Sequence, residues 1–326
     1  MSTVRWGVVG TGGIASAFVE DLHVVEGAEA VAVGSRAQES ADRFAAEHSL
    51  GRAHPTYEAL VTDDEVDVVY VATPHPGHHA AAMMAIEAGK AVLVEKPFTM
   101  DAAEAESLVT AARDRGVFLM EAMWARFVPW AVRLRELLAD GALGEVREVI
   151  ADHGQWFPQD ASHRLFAPEL GGGALLDLGV YPVSFASMVL GTPSRVTAVS
   201  DPAFTGVDAT TSMLMQYAGG AHAVLTATLT AAGPTTAAVV GTDARVQVDG
   251  PFYTPTGFTL TRRDGTSERF DRPVEGRGMW CEAAEVVRCL RDGRLESDVM
   301  PLDETVAIMA TMDEVRRQIG LTYPPG

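Results

Sequence analysis

The chain has 326 residues, 47% hydrophobic and 21% charged, the balance of an ordinary soluble globular protein and long enough for two domains. Its 25 basic residues against 44 acidic ones leave a formal charge of −19, which opposes nucleic acid and anionic membrane as partners. No run approaches the roughly 18 apolar residues of a membrane span; with no secretory leader pattern and only Cys281 and Cys289, a cytoplasmic protein with reduced thiols is expected.

Residues 4–9 read as a short buried strand that runs into Gly10-Thr11-Gly12-Gly13-Ile14-Ala15 and then a helical pattern to about Val25. Glycines at the first and third positions of such a turn, with a small residue at the sixth, are the dinucleotide fingerprint. Gly10 permits the tight turn, Gly12 lets a pyrophosphate approach the backbone, and Gly13 and Ile14 open the helix whose amides would face it. A second strand, 29–35, ends in Ser35-Arg36 where an NAD site usually carries Asp or Glu. A hydroxyl and a guanidinium suit a ribose 2′-phosphate, so NADP(H) is expected in preference to NAD(H).

Strands and helices keep alternating: helix 38–48, a helical turn 57–61, strand 67–72, helix 80–88, strand 91–95, helix 102–115 and strand 117–120. This is the pattern of a doubly wound parallel sheet with right-handed crossovers. Strand 67–72 ends in Thr73-Pro74-His75-Pro76-Gly77-His78-His79. No Cys or carboxylate is near enough in sequence to complete a ligand set, so no metal is expected. Thr73, His75 and His78 are expected at the cofactor and substrate cleft, because ligands bind open α/β sheets at the carboxyl ends of strands. The buried run 91–94 ends abruptly in Glu95-Lys96-Pro97, two charges at that same edge, which marks Lys96 as the chemical centre of an enzyme. Trp124 and Arg126 follow the last strand. They are expected to line the substrate or cofactor side, Trp124 being equally suited to an interdomain core.

Beyond a helix at 127–140 the pattern changes to successive short alternating segments at 145–157, 195–200, 210–217, 221–230, 237–241, 245–248, 258–262 and 268–270, as in an antiparallel sheet. Between them Gly171-Gly172-Gly173 introduces an apolar stretch, 174–190, containing Asp177 and Tyr181 four residues apart. A continuous helix would put both on one face, although Pro182 favours a start or kink near Tyr181. On residues alone, a capping Asp and a half-buried Tyr are the more natural account. His153, Trp156 and Phe157 are further pocket candidates. Helices at 280–292 and 302–319 close the chain. The expected division is a dinucleotide-binding domain at 1–122 and an α+β domain at 123–326, with the last helix unplaced.

The Gly-rich N-terminal turn, Glu95-Lys96-Pro97 and the segment 171–181, in this order and spacing, resemble the Gfo/Idh/MocA oxidoreductase family. The runs 73–78 and 120–127 are most similar to its dimeric dihydrodiol dehydrogenase and D-xylose dehydrogenase branch. The resemblance implies a Rossmann domain followed by an α/β domain with a large, mostly antiparallel open sheet, and a homodimer or homotetramer through that sheet. It also implies an NADP cofactor and hydride transfer to or from the carbinol carbon of a sugar, polyol or trans-dihydrodiol. Where much of the family carries His, this chain has Tyr181. The roles that follow are Tyr181 as acid/base, Lys96 as its electrostatic partner or the proton carrier itself, and Asp177 as the group orienting them. An unperturbed tyrosine titrates near 10, so a cation close by is what would make it useful. Two other functions fit the same fold: a regulator that binds NADP without chemistry, and a sugar–sugar oxidoreductase that retains its cofactor.

Overall fold

The computed structural model describes residues 3–324, which form two compact units: 3–124 with Glu275–Val306, and Ala125–Val274 with 307–324. The first unit opens with β1 (Val4–Val9), α1 (Gly13–Leu22), β2 (Ala28–Gly34), α2 (Gln38–His48), β3 (Arg52–His54) and α3 (Tyr57–Val61). It continues with β4 (Val68–Val71), α4 (His78–Glu87), β5 (Ala91–Glu95), α5 (Ala102–Arg115) and β6 (Leu119–Ala122). Every strand pairs in parallel, in the order β3-β2-β1-β4-β5-β6. Helices on the sheet faces bury β4 and β5 at every residue, which is why their sequences are unbroken apolar runs rather than alternating ones. The three-residue strand β3 carries too little pattern to be read from sequence, and β6 begins two residues later than expected. Helix α5 shows how locally such elements are encoded. The Asp101 carboxylate accepts from the Glu104 amide at 2.9 Å, Glu104 accepts from the Met100 amide at 3.0 Å, and Gly116 ends the helix at φ 64°.

The second unit contains α6 (Pro129–Ala139), β7 (Val146–Gly154), a π-helical turn (Leu175–Gly179) and α7 (Val180–Leu190). After them come β8 (Arg195–Pro202), β9 (Asp208–Gln216), β10 (His222–Thr228), β11 (Ala237–Gly241), β12 (Ala244–Val248), β13 (Phe258–Arg262) and β14 (Ser267–Phe270). The eight strands lie in the order β14-β13-β12-β11-β7-β10-β9-β8, antiparallel except for the parallel pair β7–β10. Helix α7 packs on β7 and β10. Contrary to the expectation that no run reaches a membrane span, the stretch Pro168–Leu190 has the length and apolarity of one, with mean hydropathy 1.5. Its most apolar window is 78% buried within the fold, so the apolarity belongs to a core helix. The other sheet face is open. Ile150, Val224 and Leu214 stand in one register row across β7, β10 and β9, each 42–43% exposed.

The C-terminal helices are α8 (Trp280–Arg291) and α9 (Leu302–Ile319). Helix α8 returns to the first unit, a correction to the expected boundary that assigned all of 123–326 to the second. The physical reason is Asp21 in α1, only 3% exposed, whose carboxylate accepts the amides of Arg277 at 2.9 Å and Met279 at 2.8 Å. A buried carboxylate requires such donors, and they come from a segment some 250 residues later. Helix α9 is divided at Val306/Ala307. In its second-unit part the Gln318 side chain accepts from the Ala198 amide at 2.9 Å and donates to the Val196 carbonyl at 2.8 Å, on the outer edge of β8.

Candidate active site

In the first unit, the turn after β1 is held open by backbone geometry. Gly10 lies at φ 109°, and a Cβ there would stand 2.7 Å from the Ala72 carbonyl oxygen. At Gly12 and Gly13 a Cβ would meet nothing within 4 Å. Gly12 caps α1 without any side-chain hydrogen bond, and no acidic residue occupies the first turn. The head of α1 therefore presents uncovered amides and helix-dipole charge to open space, the requirement for a pyrophosphate. Ile14 beside it is 42% exposed. At the end of β2, Ser35 is buried, and its amide donates to the His54 carbonyl at 3.1 Å. Arg36 is exposed and forms no ion pair among the described residues. These residues fit an NADP dinucleotide: an amide cradle for the pyrophosphate, and a hydroxyl with an uncommitted guanidinium for a 2′-phosphate.

The turn after β4 is tied to the turn after β5. His78 is fully buried, with Nδ1 2.9 Å from the Pro97 carbonyl and Nε2 2.9 Å from the Thr73 carbonyl. Burial first, and then His75, pulls its pKa down to about 4, so the ring is neutral and donates to one carbonyl at a time. Expected as a cofactor contact, His78 is instead a strut with both nitrogens against backbone. Thr73 keeps a buried hydroxyl with no hydrogen-bond partner among the described residues, and His75 is 8% exposed, its ring centroid 5.7 Å from that of His78.

Glu95 gains an account here. It is 6% exposed and accepts from the Tyr70 hydroxyl at 2.5 Å and from the Lys96 amide at 3.1 Å. Tyr70 in turn stacks on Phe18 of α1 with centroids 3.9 Å apart. Glu95 thus fixes the strand end that presents Lys96, and the half-buried Lys96 leads into a cis peptide bond with Pro97. Trp124 is half-buried at the end of this unit.

In the second unit, Arg126 is 3% exposed and donates from Nε to Ser184 Oγ at 2.9 Å and from a terminal nitrogen to the Ser184 carbonyl at 2.7 Å. Expected to reach substrate or cofactor, its guanidinium anchors α7. Asp177 lies in the π-helical turn, not on a continuous α-helix, and α7 begins at Val180 with Tyr181 and Pro182 in its first turn. Proline has no amide to return to the carbonyl four residues back, here Leu178. His153 of β7 supplies the donor instead, Nδ1 to Leu178 oxygen at 3.2 Å. That bond fixes the tautomer, leaving Nε2 to accept from the Gln155 amide nitrogen at 2.9 Å; the same nitrogen donates to the Tyr253 hydroxyl at 3.1 Å. The Tyr181 ring meets His153 edge-on at 5.3 Å and Tyr253 at 4.9 Å. Asp177, 6% exposed at its side chain, accepts a two-pronged ion pair from Arg164 at 2.8 and 3.3 Å. Of the three pocket candidates only His153 stands beside Tyr181; Trp156 is 63% exposed and Phe157 packs against the Leu165–Phe166 cluster.

Arg164, Gln155 and Tyr253 were not singled out from sequence. Arg164 precedes Asp177 by 13 residues in irregular chain, and Tyr253 follows Gln155 by 98, so no periodicity links them. Pro182 indicates in the sequence only a start or kink near Tyr181, not these partners. Among the described residues no group of three or more His, Cys, Asp or Glu is placed to hold a metal ion.

A parallel dinucleotide sheet with an open glycine cradle, joined to an α/β unit with an open antiparallel sheet, defines an oxidoreductase of the NAD(P)-binding Rossmann class. Residues 4–123 match the family model described as oxidoreductase family, NAD-binding Rossmann fold, and residues 131–247 match the Gfo/Idh/MocA C-terminal domain. The chain is 41% identical to trans-1,2-dihydrobenzene-1,2-diol dehydrogenase of Macaca fascicularis, covering 98% of both chains. It is 38% identical to D-xylose 1-dehydrogenase (NADP(+)) of Hypocrea jecorina, over 99% of this chain and 93% of that one. A 3-ketoreductase from Actinomadura kijaniata, crystallised with NADP and TDP-benzene, superposes with TM-score 0.86 at 28% identity, covering 98% of both chains. The protein belongs to the Gfo/Idh/MocA oxidoreductase family.

Proposed function

We propose that this protein is an NADP-dependent dehydrogenase that transfers a hydride between nicotinamide C4 and the carbinol carbon of a sugar, polyol or trans-dihydrodiol. The observation that carries the cofactor assignment is Arg36, an exposed guanidinium just past the end of β2 with no ion pair among the described residues, in the same unit as the uncovered amides of α1. The substrate class follows the relatives, which act on a cyclic diol and on a pentose and match this chain from end to end.

The bound nicotinamide supplies the hydride acceptor in oxidation and the donor in reduction. The protein's own work is to hold the carbinol and move its proton. We assign Tyr181 as the acid/base, taking the hydroxyl proton in oxidation and returning it in reduction, and Lys96 as the cation of the reaction. Asp177 carries negative charge at a place set by Arg164, and Glu95 sets where the Lys96 backbone stands. A regulator that only sensed NADP would have no use for Asp177, Tyr181 and Lys96 in these roles. The open face of the second unit, with Ile150, Val224 and Leu214 in one exposed row, is proposed as the surface through which copies of this chain associate.

Tyr181→Phe removes only the hydroxyl. Turnover of trans-1,2-dihydrobenzene-1,2-diol or D-xylose, followed at the NADPH absorbance band, should fall by about 100-fold or more, with NADPH binding unchanged. Turnover close to wild type would remove Tyr181 from the mechanism.

A further inference from the structure

The Gly171–Gly173 turn delivers both Asp177 and Tyr181, and two side chains from distant parts of the second unit grip it. Asp208, the first residue of β9 and only 3% exposed, accepts on Oδ2 from the Leu175 amide at 2.8 Å and from the Thr211 hydroxyl at 2.6 Å. Its other oxygen has no hydrogen-bond partner among the described residues and lies where a Cβ on Gly173, at φ 117°, would fall. Tyr323, near the end of the chain, donates its hydroxyl to the Gly172 carbonyl at 2.6 Å, and its ring lies under the Arg316 guanidinium, 5.0 Å from the ring centre. The grips fall on the Gly172 carbonyl and the Leu175 amide, at the entrance to the π-helical turn.

A π-helical turn is an α-helix with one residue inserted, and each residue advances an α-helix by about 100°. If the entrance is released, the turn can relax to the α register, and Tyr181 then rotates away from the position held by His153 and Tyr253. We infer that Asp208 and Tyr323 are positioning residues of this enzyme, which hold the π-helical turn and thereby set where Asp177 and Tyr181 stand. The inference rests on the reading of Tyr181 as the acid/base. Burial, which raises the pKa of the Asp208 carboxyl and of the Tyr323 hydroxyl, agrees with fixed internal partners rather than solvent-facing ones.

The test compares Asp208→Ala, Asp208→Asn and Tyr323→Phe in the full-length protein, each checked for cooperative unfolding and for NADPH affinity. With D-xylose or trans-1,2-dihydrobenzene-1,2-diol as substrate, Asp208→Ala should lower kcat about 10- to 100-fold, with KM and NADPH affinity within about twofold of wild type. Asp208→Asn keeps an acceptor for the Leu175 amide and should recover most of that loss, while Tyr323→Phe should fall between. The pH profile of kcat should shift in Asp208→Ala, and in a Tyr181→Phe background Asp208→Ala should add no further loss. Folded Asp208→Ala protein with wild-type kcat and pH profile overturns the inference. So does an undiminished loss in the Tyr181→Phe background, or, if Asp208→Ala does not fold, Asp208→Asn and Tyr323→Phe proteins that both retain wild-type kcat and pH profile. Wild-type turnover in Tyr181→Phe alone overturns instead the acid/base reading on which it stands.

Discussion

Gly10 and Gly12 are two residues apart in one turn, yet alanine should damage them in different ways. At Gly10, with φ 109°, a Cβ would lie 2.7 Å from the oxygen and 3.0 Å from the carbon of the Ala72 carbonyl. Both are backbone atoms just past β4, so neither can swing aside. Holding a side chain in that region of φ costs about 1–3 kcal/mol, and displacing the facing backbone adds about 1–3 kcal/mol. Gly10→Ala should therefore lower the unfolding free energy by about 2–6 kcal/mol, a large part of the roughly 5–15 kcal/mol of a typical domain. Gly12 has φ −84° and no atom within 4 Å of its Cβ position. Alanine there should change stability by less than about 0.5 kcal/mol. Its methyl group fills the approach to the α1 amides, and losing one charge-assisted bond to a phosphate costs about 1.5–3 kcal/mol, roughly 10- to 150-fold in Kd. Urea denaturation reads the first effect and fluorescence titration with NADPH the second. A Gly12→Ala protein that binds NADPH as wild type does would refute the cradle, and a Gly10→Ala protein of undiminished stability would refute the backbone argument.

Arg36→Ala should weaken NADPH binding by about 10- to 100-fold and leave NADH binding unchanged, because only the 2′-phosphate distinguishes them; equal losses for both cofactors would place Arg36 elsewhere. Glu282 of α8 is wholly buried with neither carboxyl oxygen hydrogen-bonded among the described residues, and burial, then the charges of Glu95, Glu121 and Asp21, raise its pKa well above 4.5. A raised carboxyl stabilises the fold fully below its unfolded pKa and loses that contribution as pH rises through the folded value. Glu282→Gln should accordingly gain stability over wild type progressively as pH rises above 4.5, read as urea midpoints from pH 5 to 9; parallel curves would contradict a protonated Glu282. Val224→Lys on the open sheet face should yield a monomer in sedimentation velocity where wild type sediments as a dimer or larger, and a monomeric wild type would dispose of the proposed interface.

What was legible in the sequence is what short-range chemistry dictates. Gly10 declares a turn because no other residue holds its φ, and β4 and β5 declare burial because both faces are covered. The Asp101/Glu104 cap is written in adjacent residues. What escaped depends on partners far along the chain. His78 and Arg126 are polar and stand at the expected edge, so they read as ligand-facing until the Thr73, Pro97 and Ser184 acceptors are seen to occupy them. Glu95 reads as a second charge at the ligand edge because its partner, Tyr70, lies 25 residues away on a neighbouring strand. The start near Tyr181 that Pro182 favours is where α7 begins, at Val180, but the π-helical turn before it changes the register without changing composition. Helix α8 gives no sign of its unit, because its tethers, among them the Asp21 carboxylate and the Glu26 carbonyl, lie more than 250 residues earlier.

The carboxamide of Gln318 has the same atoms, in the same plane, as a peptide unit. Bridging the Ala198 amide and the Val196 carbonyl, it completes one rung of the ladder on the side of β8 that faces away from β9. A helix thereby contributes to a sheet the smallest possible piece of strand. A foreign strand seeking that margin would find its first docking point already taken by the chain's own side chain. The two edges of the same eight strands are thereby unlike: β8 is guarded at one rung by the chain's own helix, while β14 at the opposite edge owes nothing to that contact.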